Sequence, residues 1–425
     1  MNQSSIEPKP GLLLLIPNLG LGGAQRVFAD HARFLAATYR VTECVFNLEQ
    51  ADNHQTNNEL VSLQVLGGGG AVAKLRHFVA RCVGLRQLKQ KRNITLAISH
   101  LEGADYVNVL SGAGERRVLC VHGSKLHDRN MRGAAGWLRR RVLIPLLYRR
   151  ADRVVTVSTG IQAELVNVLG LPAHKVQVIN NFFDDVAIRA QAAAPVSVAL
   201  AAVLAQHPVL ATAGRFAPEK NLLALLNVFA LVRQQMPQAR LLLVGQGEQY
   251  PALLACCERL GLPVCRPEEL AESAPAVATA SVLFAGFQAN PHAFVARATV
   301  FVLPSLNEGF PMALGEAMVC GRPVAAADCP TGPREMLAPG TPDPPAAPLR
   351  QVEAAAHGLL LPVLSNPDTQ LADEQVWAEA LVGLLANEAE RERLGRRAAE
   401  RMQAFTPARI ARQWLDLLAA VRAGK

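Results

Sequence analysis

Two α/β domains in series, each built on a parallel sheet, are what this 425-residue sequence predicts. Three observations carry the prediction. Short apolar runs of strand length alternate with stretches of helical periodicity. The same alternation begins again after about residue 208. Several of the apolar runs end in glycine- or proline-marked turns, the usual place for ligand contacts in parallel sheets.

Taken in order, Leu12–Ile16 reads as the first strand, followed by a Gly-rich turn and a helix from about Gln25. In that helix Val27, Phe28, His31, Ala32, Phe34 and Leu35 recur at helical spacing. Val41–Phe46, Leu96–Ser99, Val118–Val121 and Val154–Val157 read as further strands between helical stretches. Such βα alternation implies a parallel sheet covered on both faces. Residues 72–92 suit a helix with Leu75, Phe78, Val79, Cys82 and Leu85 toward one side. Lys74, Arg76, Arg81 and Lys91 lie mostly opposite, with Arg86 and Lys89 out of pattern.

The Ala-rich stretch Gln191–Pro208 marks the expected junction, so the first domain is set at 1–195 and the second at 196–405. Leu210–Ala213, Leu241–Val244, Val282–Ala285, Val300–Leu303 and Pro323–Ala327 are the second domain's strands. A helix with Leu222, Leu225, Leu226, Phe229 and Val232 on one face follows the first of them. Ala338–Leu349 is Pro-rich and reads as a surface loop; a charged helix spans roughly Glu388–Gln403. Residues 406–425 form a final helix, expected to pack back on the first domain.

Composition narrows the class. The chain is 50% hydrophobic, 5% aromatic and 18% charged, which is globular rather than disordered. Leu12–Ile16 is too short for a secretory signal, and no run is long enough to span a bilayer. Eight cysteines without a CxxC pair favour reduced thiols and a cytoplasmic location. The net charge of +8 is uneven: residues 1–190 carry 24 Lys and Arg against 14 Asp and Glu, and the remainder 19 against 21. A basic first half is expected to face something anionic, with an anionic membrane surface as the candidate.

Chemistry concentrates at strand ends. In Pro304-Ser-Leu-Asn-Glu-Gly-Phe-Pro-Met-Ala-Leu-Gly-Glu316, Glu308 sits in the loop and Glu316 about one and a half turns into a helix that Pro311 helps to start. Free amides from Gly309 to about Ala313 would add donors for an anionic or hydroxyl-rich ligand. In Ala213-Gly-Arg-Phe-Ala-Pro-Glu-Lys220, Arg215 can fork onto phosphate oxygens and Lys220 adds a point charge. Loss of a nucleoside diphosphate builds negative charge, and the chain has no Asp-x-Asp motif to hold a metal, so these cations are the natural electrophiles.

Gly20-Leu-Gly-Gly-Ala-Gln-Arg26 superficially matches a dinucleotide fingerprint, but Gln25 replaces the third glycine and Glu49 comes late for a ribose partner. A nicotinamide cofactor is thereby disfavoured, while Gly22 and Gly23 still allow close backbone approach. His122 with Gly123 follows Val118–Val121, and Gly245, Gly247, Gly286 and Phe287 end two second-domain strands, where backbone could contact a base.

In combination these blocks resemble the family-4 retaining glycosyltransferases of the GT-B fold. The similarity runs through Gly-Gly-Ala-Gln-Arg26, Ala-Asp-Arg-Val-Val-Thr-Val-Ser158, Val-Ile-Asn-Asn181, Gly-Arg-Phe-Ala-Pro-Glu-Lys-Asn221, Gly-Phe-Gln-Ala-Asn-Pro291, Glu-Gly-Phe-Pro-Met-Ala-Leu-Gly-Glu316 and Asp-Cys-Pro-Thr-Gly-Pro-Arg-Glu335. The last block looks most like the subgroup acting on lipopolysaccharide and related bacterial surface glycans. The resemblance implies two Rossmann-like domains facing across a cleft, an N-terminal one for acceptor and a C-terminal one for donor. It implies that Arg215 and Lys220 bind the donor diphosphate, that Glu316 bonds the ribose, and that Glu308 with the amides of Gly309, Phe310, Pro311 and Met312 grips the sugar. Gly23 would lie against the diphosphate and His122 near the reacting centre. Donor-binding residues are thus Gly22, Gly23, Arg215, Lys220, Gly245, Gly247, Phe287, Glu308–Met312 and Glu316, with Glu308, His122, Arg215 and Lys220 carrying catalysis. No cofactor or divalent metal is expected; the partners are a nucleotide sugar, UDP-linked by family analogy, and a glycan or lipid-linked acceptor, with no nucleic acid.

One residue departs from the pattern: Gly315 stands where a larger apolar side chain is usual. An epimerase or hydrolase of nucleotide sugars on the same fold would leave the basic first half without purpose. A non-catalytic nucleotide-sugar- or polyanion-binding module would predict a broken cation set or a missing glutamate, and neither is broken.

Overall fold

The computed structural model describes residues 9–20, 22–48, 56–128, 133–343, 345 and 347–424. Leu21, Glu49 and two positions of the 338–349 loop lie outside them. The chain divides into two units, residues 1–181 with 408–425, and residues 182–407.

The first unit holds β1 (Gly11–Ile16), β2 (Arg40–Val45), β3 (Glu59–Ser62), β4 (Ile94–His100), β5 (Arg116–Val121), β6 (Arg153–Thr156) and β7 (Val176–Val178). They form one sheet in the order β3-β2-β1-β4-β5-β6-β7, with every pairing parallel. β1 lies inside the sheet, which is why Gly-Leu-Leu-Leu-Leu-Ile is apolar without alternation and buried throughout. β3 and β7 escape the sequence reading because they are edge strands of three or four residues with mixed burial.

The second unit holds β8 (Val209–Ala213), β9 (Arg240–Val244), β10 (Val264–Cys265), β11 (Val282–Gly286), β12 (Val300–Leu303), β13 (Val324–Ala327), β14 (Glu353–Ala355) and β15 (Gly358–Leu361). Their order is β10-β11-β9-β8-β12-β13-β15-β14, parallel except for the β14–β15 hairpin. Period-2 geometry splits each strand between two cores. Leu241 and Leu243 join the cluster of Leu225, Phe229 and Trp377, whereas Leu242 and Val244 join that of Leu200, Val203 and Val277. β10, β14 and β15 are too short or too ordinary in composition to have been read as strands.

Three expectations change. Gln191–Pro208 is not patternless: Val198–Gln206 is a helix, capped by the Ser197 hydroxyl accepting from the Leu200 amide, as an Ala-rich run allows. The second unit begins at 182 rather than 196, because the helix Asp185–Ala192 packs on the helices His292–Val295 and Met312–Val319. The helix Ala71–Lys91 forms as read, but the side read as one apolar stripe is divided between interior and solvent. Leu85 is buried, but Leu75 and Val79 are 65% and 51% exposed. Lys89, which had spoiled the pattern, is instead fully buried and bonded to Glu115 at 2.7 Å, with Asn108 and Ser111 as further acceptors. The final helix, Pro407–Arg422, buries Ile410, Trp414, Leu417 and Leu418, and Trp414 meets His31 edge-on at 4.5 Å between ring centroids.

Candidate active site

Both sheets reverse their strand order at one point, between β1 and β4 in the first unit and between β8 and β12 in the second. Helices cover opposite faces on the two sides of such a point, so the loops leaving the adjacent strands splay and open a crevice. The Gly22–Gly23 turn follows β1, and the loops of Arg215 and Glu308 leave β8 and β12.

In the second unit the loop after β8 carries Arg215 and Lys220, and the loop after β12 carries Glu308. The Lys220 ammonium donates to Glu308 Oε1 at 2.6 Å, and the Ser305 hydroxyl donates to the same oxygen at 2.7 Å. Both bonds use Oε1, which leaves Oε2 for a ligand. The backbone holds Glu308 from two sides: its amide donates to the Pro330 carbonyl, and its carbonyl accepts from the Thr331 amide. Arg215 is 60% exposed at its side chain and pairs with Glu219. An incoming diphosphate would therefore compete with carboxylates already in place.

Gly245 and Gly247 turn out to serve this loop rather than open space. A Cβ on Gly245 would meet the Gly214 carbonyl oxygen at 1.9 Å, and one on Gly247 the Phe216 oxygen at 2.4 Å. Glycine lets the two loops bond to each other, the Gly214 amide to the Val244 carbonyl and the Phe216 amide to that of Gln246. Phe287, 52% exposed after β11, keeps its ring available.

The helix Met312–Val319 begins one residue later than read, with Pro311 at its N-cap. Its first internal bond is Gly315 amide to Pro311 carbonyl, so the Met312, Ala313 and Leu314 amides have no helical acceptor. Pro311 has no N–H and drops out as a donor. The Phe310 ring is buried, 6.2 Å from Phe183 and 5.2 Å from Phe405 between centroids, and only its backbone can face a ligand. Glu316 is 8% exposed and lies 3.9 Å from the imidazole of His292. Gly315 now has a reason: a Cβ there would sit 2.2 Å from the Phe183 ring, which fills the volume a larger residue would occupy.

Gly22, Gly23 and His122 belong to the first unit. Gly22 is extended at φ 177, a conformation any residue adopts, and Gly23 opens the helix after β1. The position beside Gly22 is taken by the Gln25 side chain, whose oxygen would be 2.4 Å from an added Cβ. His122 follows β5, and its Nε2 is 2.8 Å from Nδ1 of His100, which ends β4. Burial pushes His122 down to about 3, with the Lys125 charge adding to the effect, so its ring is neutral at physiological pH. His31 is likewise pushed down to about 3, first by burial and then by His122.

Sequence reasoning missed His100, although it closes β4 in register with Cys120 of β5. It also missed a polar cluster behind His122. Lys125 lies 3.6 Å from Glu102, the Ser124 hydroxyl donates to Glu164 at 2.6 Å, and the Lys125 amide donates to the same carboxylate. The signal available was Lys125, three residues past His122.

Comparison with known proteins finds two family models, one covering most of each unit. Residues 21–186 match the model of Glycosyltransferase Family 4, and residues 207–387 that of Glycosyl transferases group 1. One relative is the N-acetylgalactosamine-N,N'-diacetylbacillosaminyl-diphospho-undecaprenol 4-alpha-N-acetylgalactosaminyltransferase of Campylobacter jejuni, 24% identical over 76% of this chain and 82% of that one. The lipopolysaccharide 1,6-galactosyltransferase of Salmonella typhimurium is 43% identical over a shorter stretch, 14% of this chain and 18% of that one. Among solved structures, Anabaena HepE in complex with UDP and glucose superposes with a TM-score of 0.71 at 20% identity, over 96% of this chain and 99% of that one. Two models of one enzyme class take the two units in the order the fold presents them, and the chain therefore belongs to the family-4 glycosyltransferases of the GT-B fold.

Proposed function

We propose that this glycosyltransferase transfers a sugar from a nucleoside diphosphate, most simply UDP, to a lipid-linked or glycan acceptor of bacterial surface polysaccharide or lipopolysaccharide, with retention and without a metal. The observation that carries the reading is the Lys220–Glu308 pair, with Arg215 beside it, at the reversal point of the second sheet. As the donor bond breaks, charge grows on the departing diphosphate. Lys220 and Arg215 stabilise it without a divalent ion. The free Oε2 of Glu308 and the Met312–Leu314 amides hold the transferred sugar, and Glu316 accepts from the ribose hydroxyls. In the first unit His122, kept neutral, can hydrogen-bond a substrate hydroxyl and carries no charge to the reaction. HepE bound to UDP and the diphospho-undecaprenol acceptor of the Campylobacter relative support the substrate classes.

The acceptor's lipid would bring the first unit to a membrane. No described helix is long and apolar enough to cross one. However, Val72, Leu75, Val79 and Val83 form an exposed stripe on the helix Ala71–Lys91, and Trp137, Leu138, Val142 and Leu146 are exposed around Arg139, Arg140 and Arg141. Apolar residues flanked by cations suit a peripheral contact with an anionic leaflet. A thermal-shift panel of nucleotide sugars tests the donor assignment, because a specific donor at about 100 times its Kd adds roughly 2.7 kcal/mol. Stabilisation by none of them would remove the nucleotide-sugar reading.

A further inference from the structure

The imidazoles behind the first unit's strand ends form an arrangement that sugar transfer does not require. Parallel register sets His100 of β4 beside Cys120 of β5. His122 lies two residues beyond Cys120, so strand periodicity returns it to the same side. The His100 and His122 rings stack at 5.0 Å, and the ligating atoms of His100, Cys120 and His122 all lie within 4.8 Å of one another. His100 and Cys120 are buried, whereas His122 is partly exposed and gives a way in. Nε2 of His100 is buried without a hydrogen-bond partner, as is Nδ1 of the neighbouring His31. Phe28 closes the inner side, edge-on to His100 at 5.4 Å. Two neutral imidazoles and a thiol, converging from a rigid sheet, are a donor set for a borderline divalent cation.

We propose that His100, Cys120 and His122 form a three-ligand site for a zinc-type divalent metal, and that filling it inhibits transfer by occupying His122. The inhibitory half rests on the role proposed above for His122; the binding half does not. Bonds of about 2.0–2.1 Å to nitrogen and 2.3 Å to sulfur require the two ring nitrogens to part from their hydrogen bond by about 0.5 Å. On binding, Cys120 loses its thiol proton to solvent. The imidazole that donates in the ring–ring bond moves its proton to its other nitrogen, so one proton is released per metal. The fourth position stays open toward the exposed side of His122. Lys125 is the nearby unfavourable charge, and Glu102 at 3.6 Å offsets it.

Cobalt(II) is the probe, added to full-length protein freed of metal by chelation. One equivalent should produce thiolate-to-cobalt charge-transfer absorption in the near ultraviolet and strong tetrahedral d–d bands, both abolished by added zinc. Cys120→Ser should lose the charge-transfer band, and His100→Gln should weaken binding at least about tenfold, since even outer partners of a metal ligand carry 10–100-fold. In parallel, zinc should suppress wild-type transfer and EDTA restore it. The zinc needed for half-suppression should rise at least about tenfold in each variant, measured against that variant's own zinc-free rate. No charge-transfer band in the wild type, or the same band in folded Cys120→Ser, would overturn the site. A full band without any inhibition would leave the metal site standing and remove His122 from the reaction.

Discussion

The two units use one architecture to opposite electrostatic ends. At the reversal point of the second sheet, charged side chains meet in pairs: Lys220 with Glu308 and Arg215 with Glu219. At the strand ends of the first sheet, His31, His100 and His122 are crowded into a site where burial keeps all three neutral. The second unit's loops carry the charge that the proposed reaction sets against a departing diphosphate, and backbone bonds join the loops to one another. The first unit keeps its strand-end imidazoles uncharged, and carries its excess of cations on the helical segments around residues 74–92 and 139–150, with Lys89 alone among the cations of the first segment fully buried, against Glu115. The lesson is that net charge by domain describes a surface, and the chemistry of a site has to be read residue by residue.

The sharpest way to break this comparison is to remove a second-unit cation. Lys220→Ala should raise the transfer barrier by about 2–4 kcal/mol, because it removes the cation proposed to face the leaving group and leaves Glu308 Oε1 with the Ser305 hydroxyl but no counter-charge. Arg215→Ala should act in the same sense but less, its side chain being more exposed than that of Lys220. Far-ultraviolet circular dichroism should show both folded. Activity should persist in EDTA; loss in EDTA with rescue by magnesium or manganese would put the charge on a metal instead.

Next in size, the two glutamates should separate. Glu308→Gln should spare calorimetric binding of free nucleotide and remove most transfer, whereas Glu316→Ala should weaken nucleotide binding itself by about 1–3 kcal/mol. The reverse pattern would exchange the sugar and ribose positions within the second unit.

A smaller effect sharpens the packing side of the comparison. Gly315→Ala should destabilise by about 1–3 kcal/mol through overlap with Phe183. Phe183→Leu should recover part of that loss when combined with it, although it costs stability alone. Additive losses in thermal unfolding would mean that the ring does not fill the space at 315.

The smallest effect belongs to the first unit's surface. Wild-type protein should sediment with anionic vesicles, less with zwitterionic ones, and be released as salt rises. Replacing Arg139, Arg140 and Arg141 by Ser should cost roughly 1 kcal/mol per residue of vesicle binding. Equal binding of wild type to both vesicle types would leave the basic surface without this role.

Much of this was legible in the residues. Buried parallel strands read as unbroken apolar runs, so β1, β9 and β12 were visible at once. The loops after β8 and β12 announced themselves because glycine, proline and paired charges have few other reasons to follow such strands. Edge strands such as β3 and β10 were not visible, since a strand of two to four residues takes its stability from its neighbour and carries little pattern of its own. Lys89 looked like an error in an amphipathic helix and proved to be half of a buried ion pair, which depends on Glu115 arriving from elsewhere in the chain.

By itself the sequence determined the strands inside each sheet, the α/β class, and which residue types stand at which strand ends. These are local matters, governed by apolar periodicity and turn chemistry. Only the tertiary structure decided that Gly315 makes room for Phe183, that Gly245 and Gly247 serve the loop of Arg215, and that His100 and Cys120 meet His122. Each of those depends on register between strands or on a side chain distant in sequence, and close packing between such segments leaves no mark in either one alone.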